Sequence, residues 1–342
     1  MSNASLVLVA NAGDSSISTF RLEDGALERL AVTEGLQGTG TFAIDAARGL
    51  VYAGVKGSPA AVVTLELDRA TGALTERSRT DLPGGSVAYL ALTRDGGALL
   101  GASYGGSYGF SAPIVEGVVG EAVSTVEHKY LHSVLASADG RFAHFVSLGD
   151  DVVATYAIGD ELALTHVQSA AVPAGSAPRH LVLNAAQDSL YVITEYSGEV
   201  LRFDRDTASG ELTLRAAAGA IDLTAGLVRG QIDADPVALG AVWGADLHWG
   251  ADERVLWASE RSRSTLGALP VDERGRLTAA EDFTETEPQP RGFATSTDGR
   301  YLVAAGERST TVSLYAVDGE RLELLQQAET GAGANWVRFL EL

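Results

Sequence analysis

Four side chains in this sequence have the types and spacing for acid/base work on an anion: His132, Arg179, Glu195 and Arg261. Two guanidinium groups on one rim can hold a carboxylate or a phosphate by forked hydrogen bonds, a geometry that lysine does not reproduce. A histidine titrating near neutrality can carry a proton, and a carboxylate beside it can orient it or act as the second acid/base. Arg179 and Glu195 flank RHLVLNAAQDSLYVITE, which reads as strand, turn, strand. Antiparallel pairing returns both ends of such a hairpin to the same rim of a sheet.

The elements that must position these residues come from a repeat. Copies of a short strand, a turn near Asp-Gly, a second strand, a polar turn and a third strand start at Phe42, Tyr89, His132, Arg179, Ala245 and Arg291. The starts lie about 43 to 48 residues apart, except for one interval of about 66. Short strands at this period predict a β-propeller with one four-stranded sheet per repeat. Segments such as GALERLAVTE and GRLTAAEDF are the expected outer fourth strands. The first copy, LVLVANAGDSSISTF, lacks an innermost strand, whereas the chain ends in an orphan strand, NWVRFLEL. Joining the two makes a seventh blade and leaves no open sheet edge. The expectation is an all-β, seven-bladed β-propeller spanning 1–342 as one domain, its ring closed by N- and C-terminal strands sharing one blade. The extra residues between Thr213 and Gly244, including GLVRGQIDADPVALG, are expected to form a loop over one rim, where long ordered loops often border sites.

A propeller gathers the same register position of every blade around one channel mouth. Just before each innermost strand stand Gly40, Ala88, His132, Arg179, Ala245, Arg291 and Asn335; at the end of each second strand stand Asn11, Lys56, Tyr104, Leu148, Glu195, Arg261 and Glu307. In a chain that is 20% charged, several rim positions carry charge through composition alone. What singles out His132, Arg179, Glu195 and Arg261 is that they come from consecutive blades. Lys56 and Asn11 lie on blades further off and are optional members. His128 and His144 read as ordinary strand or loop histidines. Arg141, Arg254 and Arg300 follow turns on the opposite rim, Glu307 and Arg308 are an expected rim ion pair of little worth, and Tyr104-Gly105-Gly106 reads as a turn.

Composition narrows the function classes. The net charge is −20, from 25 basic and 45 acidic residues, so no basic surplus exists to neutralise nucleic-acid phosphates or an anionic membrane. There is no cysteine, which removes disulfides and thiolate metal sites. The start, MSNASLVLVANAGD, lacks the basic and apolar regions of a signal peptide, and no apolar run approaches a transmembrane length. A cytoplasmic protein, monomeric or weakly homo-oligomeric, is expected. A GxSxG elbow, an HExxH zinc motif, a Walker loop and a GxGxxG element after a strand are all missing. The residues therefore favour metal-free acid/base chemistry on a small anion.

Longer stretches carry a resemblance. APRHLVL with TEYSGEV, GADLHWGADERVLWASER, TEPQPRGFATSTDGRYLVAAGERSTTVSLY, EGVVGEAVSTVEHKYLHSV and the closing GAGANWVRF are similar to the seven-bladed β-propeller lactonase family, the propeller-type 6-phosphogluconolactonases, related to carboxymuconate-lactonising enzymes. The likeness spans nearly the whole chain. It implies a lactonase with a cofactor-free site acting on a small-molecule anionic lactone, with 6-phosphoglucono-δ-lactone first and aldonate, aldarate or muconate-type lactones, or cycloisomerisation, as alternatives. His132 would then activate water, Arg179 and Arg261 would bind the anionic group and steady the oxyanion, and Glu195 would assist proton transfer. His180, Asp246, His248 and Arg291 are further candidate substrate-binding residues. The sequence departs from the family at Tyr130-Leu131, at Ala88-Tyr89 and at Glu260 before Arg261. A non-catalytic propeller scaffold is the competing class, although a scaffold would display a broad apolar or charged face in place of a compact polar rim.

Overall fold

The computed structural model describes residues 4–342; the first three residues of the start weighed above as a leader lie outside them. Seven sheets surround a central channel, each an antiparallel meander running from an innermost to an outermost strand. Blade one joins the two ends of the chain: Ala334–Glu341 is its innermost strand, followed by Ser5–Asn11, Ser16–Glu23 and Ala26–Thr33. Its terminal pair is in register from Ser5 with Glu341 to Ala10 with Trp336, as the orphan strand required, and then shifts by one so that Asn11 faces Ala334. Trp336 anchors the closure by donating its Nε1–H to the Phe42 carbonyl of blade two at 2.9 Å. The innermost strands of blades two to seven are Thr41–Asp45, Tyr89–Leu92, Leu131–Ala136, Pro178–Leu183, Gly244–Trp249 and Pro290–Thr295.

Burial explains why the strands read as they do. Each blade is packed between two neighbours, so its second strand is covered on both faces and is apolar without alternation; Ser5–Asn11, Ser189–Thr194 and Val255–Glu260 are buried at every position. The outermost strands meet water, and Arg321–Glu329 is exposed along most of its length. The apolar clusters accordingly lie between blades. Tyr191, Ile193 and Val200 of blade five, for example, pack on Leu247, Leu256 and Leu269 of blade six.

On the far rim the Asp-Gly turns repeat one device. Thr93, Ser137 and Ser296 each donate a side-chain hydrogen bond to the aspartate two residues on, while Gly96, Gly140 and Gly299 take φ of +63°, +73° and +65°. Arg141 and Arg300 pair with the aspartates of their own turns, at 2.8 and 2.6 Å. One expected outer strand is misplaced: GRLTAAEDF is largely irregular, and the fourth strand of blade six is only Phe283–Glu285. Leu277 makes an isolated bridge with Val271, because Asp272 folds the segment back by accepting from the backbone of Arg274 and Arg276.

Candidate active site

Gly40 and Ala88 stand just before their innermost strands as expected, whereas the other five members of that ring lie inside theirs, at β-bulges. His132 lies between the paired residues Leu131 and Ser133, Arg179 between Pro178 and His180, and Arg291 between Pro290 and Gly292, each without a partner of its own on the adjacent strand. The same irregularity falls at Ala245-Asp246 and at Asn335. A bulge re-aims the extra side chain, and here it turns these residues into the channel. Glu195, Arg261 and Glu307 arrive from the turns after the second strands of the same blades.

His132, Arg179, Glu195, Arg261 and Arg291 line one cleft of about 390 Å³ at the channel mouth, with Lys56, Tyr104 and Trp243 among its other walls. Lys56, read above as optional, thus belongs to the cleft. Four cations and one carboxylate lie in this lining, inside a protein whose net charge is −20. Glu195 Oε2 is shared by Arg179 Nε at 2.9 Å and Arg261 Nη2 at 3.0 Å. The Arg179 N–H is not directed at that oxygen, which leaves Nε–H an unsatisfied buried donor. Arg261 also stacks on Trp243, with its guanidinium carbon 3.7 Å from the ring centroid. Glu307 pairs with Arg291 of its own blade at 3.0 Å and lies 4.0 Å from Arg261 of the neighbouring one, and the expected pairing with Arg308 does not form.

The electrostatics follow from this crowding. Burial, then Arg261 and Arg291, push the Arg179 guanidinium down to about 9, still cationic at neutral pH. Burial holds the Arg261 group at about 10. Burial, followed by Arg179, His180, Arg291 and Arg261, holds His132 well below the ordinary histidine range, and its Nδ1 has no hydrogen-bond partner. Glu307 is held below the usual carboxylate range by Arg291 and Arg261, which outweigh its desolvation. The site is thus a neutral, unpartnered imidazole set among cations.

The remaining candidates are placed differently. His180 and Asp246 are buried in the channel beneath the cleft, and His248 lines a cavity of about 430 Å³ at the opposite mouth. A hydrogen-bond chain joins them to the cleft. Arg179 Nη1 donates to His180 Nε2 at 3.2 Å, His180 Nδ1 meets Asp246 Oδ1 at 2.7 Å, and Asp246 Oδ2 meets His248 Nε2 at 3.1 Å. Arg179 Nη1 also donates to the Ala245 carbonyl. With Nε2 accepting, His180 is neutral and donates from Nδ1; burial, then Arg179, lowers it to about 3. The His180 ring also lies 5.0 Å from that of His132, so the chain fixes both the guanidinium and the imidazole of the cleft.

The reading of single residues missed Trp243, Tyr196 and Asp233, all carried by or beside the insertion. Its loop over the rim was expected, and its last residues run directly into the ring position at Ala245. The loop is ordered: Gly230 donates to the Tyr196 carbonyl at 3.0 Å, and Val228 bridges to Ala241. A Cβ at Gly230 would stand 2.8 Å from the Val242 carbonyl oxygen, so only glycine allows this close approach. Asp235 caps the short helix Pro236–Leu239 by accepting from the backbone of Val237 and Ala238.

Comparison with known proteins adds to this geometry. The family model described as "Lactonase, 7-bladed beta-propeller" matches residues 7–339. A 6-phosphogluconolactonase of Sodalis glossinidius is 31% identical over 343 residues, with 98% of each chain covered. One of Klebsiella pneumoniae strain 342 is 28% identical, with 97% of each covered. The solved structure of a periplasmic gluconolactonase of Pseudomonas aeruginosa superposes with a TM-score of 0.87 at 24% identity, covering 98% of this chain and 99% of that one. At that identity the superposition speaks for the fold alone.

Proposed function

The chain belongs to the seven-bladed β-propeller lactonase family and is a carboxylic-ester hydrolase of that kind, and we propose that its substrate is 6-phosphoglucono-δ-lactone, opened to 6-phosphogluconate. The observation that carries this is the concentration of Lys56, Arg179, Arg261 and Arg291 around one cleft in an otherwise strongly acidic protein. Such a field attracts a phosphorylated sugar and repels little that is neutral. The relatives named 6-phosphogluconolactonase over almost the full chain support the same substrate.

In this mechanism the phosphate sits against Lys56 and Arg291 while the lactone carbonyl turns toward Arg179 and Arg261. Neutral His132 takes a proton from water as the water oxygen adds to the carbonyl carbon. The oxyanion forms against the guanidinium groups, which cost no reorganisation because Glu195 already holds both. Collapse breaks the bond from the carbonyl carbon to the ring oxygen, which receives the proton from His132, leaving a carboxylic acid that ionises. The cations that depress His132 make it a weak base in the free enzyme. A bound anion offsets part of their field, so the substrate strengthens its own base. The proposed compartment is the cytoplasm, where phosphorylated sugars are retained by their charge.

Hydrolysis of freshly generated 6-phosphogluconolactone, corrected for spontaneous opening, tests this. The expected result is a kcat/KM at least tenfold above that for glucono-δ-lactone, with both rates lost in His132→Ala. Equal rates on the two lactones would remove the phosphate from the proposal.

A further inference from the structure

Beside the cationic cleft lies a second compartment of about 190 Å³, which shares Tyr104, Glu195 and Trp243 with it and is otherwise walled by the insertion and Tyr196. Its chemistry is the opposite of the cleft's. No lysine or arginine lines it. Its lining includes the phenol side chains of Tyr104 and Tyr196, the indole of Trp243 and the exposed polar side chains of Gln231 and Asp233. Among the described residues none of these five groups has a hydrogen-bond partner in the protein. Burial, with Glu195 adding to it, pushes both phenols up, so they stay neutral donors. Tyr104 is held by stacking on Tyr130, with ring centroids 4.8 Å apart and planes within 15°. Asp233 is held at φ +60° in a loop pinned by the Gly230 and Val228 contacts.

Resting on the lactonase function proposed above, we infer that this compartment is a hydroxyl-recognition subsite: it receives the neutral ring hydroxyls of a sugar lactone while the anionic end of the same molecule lies among the cations. Carboxylate and amide acceptors with phenol and indole donors, backed by flat aromatic surface, suit the alternating O–H donors and C–H faces of a sugar ring. An anionic substituent on that side would meet the Asp233 carboxylate with no lysine or arginine in the lining to offset it, whereas Glu195 is already paired with Arg179 and Arg261. The selected substrates are therefore lactones charged at one end and polyhydroxylated at the other, and the selection is made by the insertion between blades five and six. Lactones lacking hydroxyls, or carrying a second carboxylate on the ring, fit poorly.

The test compares two uncharged lactones, so that the cationic end contributes nothing. Glucono-δ-lactone carries the ring hydroxyls and δ-valerolactone does not. In Asp233→Asn, a substitution that the positive φ tolerates, the ratio of kcat/KM for the hydroxylated over the bare lactone should fall about tenfold, the usual scale for losing a hydrogen bond to a charged acceptor. Tyr196→Phe should move the ratio the same way through KM. An unchanged ratio in both variants overturns the inference, as does an equal fall for the two lactones, which marks a merely structural role. If the wild-type protein opens neither uncharged lactone, the subsite is read separately by saturation-transfer NMR with glucitol, and the proposed function fails only if 6-phosphogluconolactone is also left closed. A signal lost in Asp233→Asn then supports it, and no wild-type signal overturns it.

Discussion

Lowering the pH from 7 to 5 should weaken this protein through its buried neutral histidines, and His144 allows the effect to be measured alone. It lies outside the cleft in the second strand of blade four, fully buried, with Nδ1 2.9 Å from Thr155 Oγ1 and Nε2 accepting from Arg205 Nε at 2.9 Å. A second ring proton would have to enter where the Arg205 N–H already points. Burial, then Arg205, accordingly pushes the group from 6.5 down to about 3. The unfolded chain takes up this proton as the pH falls through 6.5 and the folded chain refuses it until about 3, so the stabilisation is complete above 6.5 and drains away below. Between pH 7 and pH 5 the linkage relation makes the loss about 2 kcal/mol. His144→Gln keeps an amide oxygen for Arg205 and removes the titration. Urea unfolding of both proteins at both pH values isolates the effect, because every other titrating group cancels in the difference. With an m-value on the order of 4 kcal/mol/M for a chain of this size, the variant's midpoint should fall about 0.5 M less than the wild type's on acidification. Equal shifts in the two proteins would refute the assignment of His144 as a neutral buried base.

Glu195→Gln leaves the buried Arg179 and Arg261 without their shared carboxylate, which should cost about 3 kcal/mol or more. Inorganic phosphate should then raise the melting temperature of the variant more than that of the wild type; an equal effect would refute the shared-anion role. His248→Leu, at the opposite mouth, should lower kcat/KM about tenfold by loosening the chain through Asp246 and His180 to Arg179. In His248→Gln the side-chain N–H replaces Nε2 and should retain most of the activity, and Leu and Gln variants of equal activity would remove the chain from function. Because burial and the surrounding cations hold His132 well below 6.5, the free enzyme keeps its base deprotonated at neutral pH. The acid limb of kcat/KM should therefore lie below 6.5, and a limb at 6.5 or above would contradict it.

Much of the architecture was legible because it is written in local chemistry. A period of about 46 residues, continuous apolar second strands and Asp-Gly turns are properties of segments shorter than a blade, and the two incomplete ends of the chain require each other. The ring positions were legible for the same reason: a hairpin returns residues sixteen apart, such as Arg179 and Glu195, to one rim whatever surrounds it. GRLTAAEDF failed as a strand because an exposed outer segment has little packing to enforce pairing, and Asp272 offered its backbone a competing turn.

What the sequence by itself determined, then, is the blade, the closure and the rim on which His132, Arg179, Glu195 and Arg261 stand. The tertiary structure alone decided which side chains meet across the channel. His180 and Asp246 are 66 residues apart and share one hydrogen bond; Arg261 meets Glu195 of the neighbouring blade, and Lys56 enters the cleft from the other side of the ring. The bulges that aim His132, Arg179 and Arg291, and the second compartment under the insertion, are likewise results of closing seven sheets on one axis. Local periodicity constrains a residue's own strand, whereas contacts along the axis depend on the angle and stagger between blades, which exist only once the ring has closed.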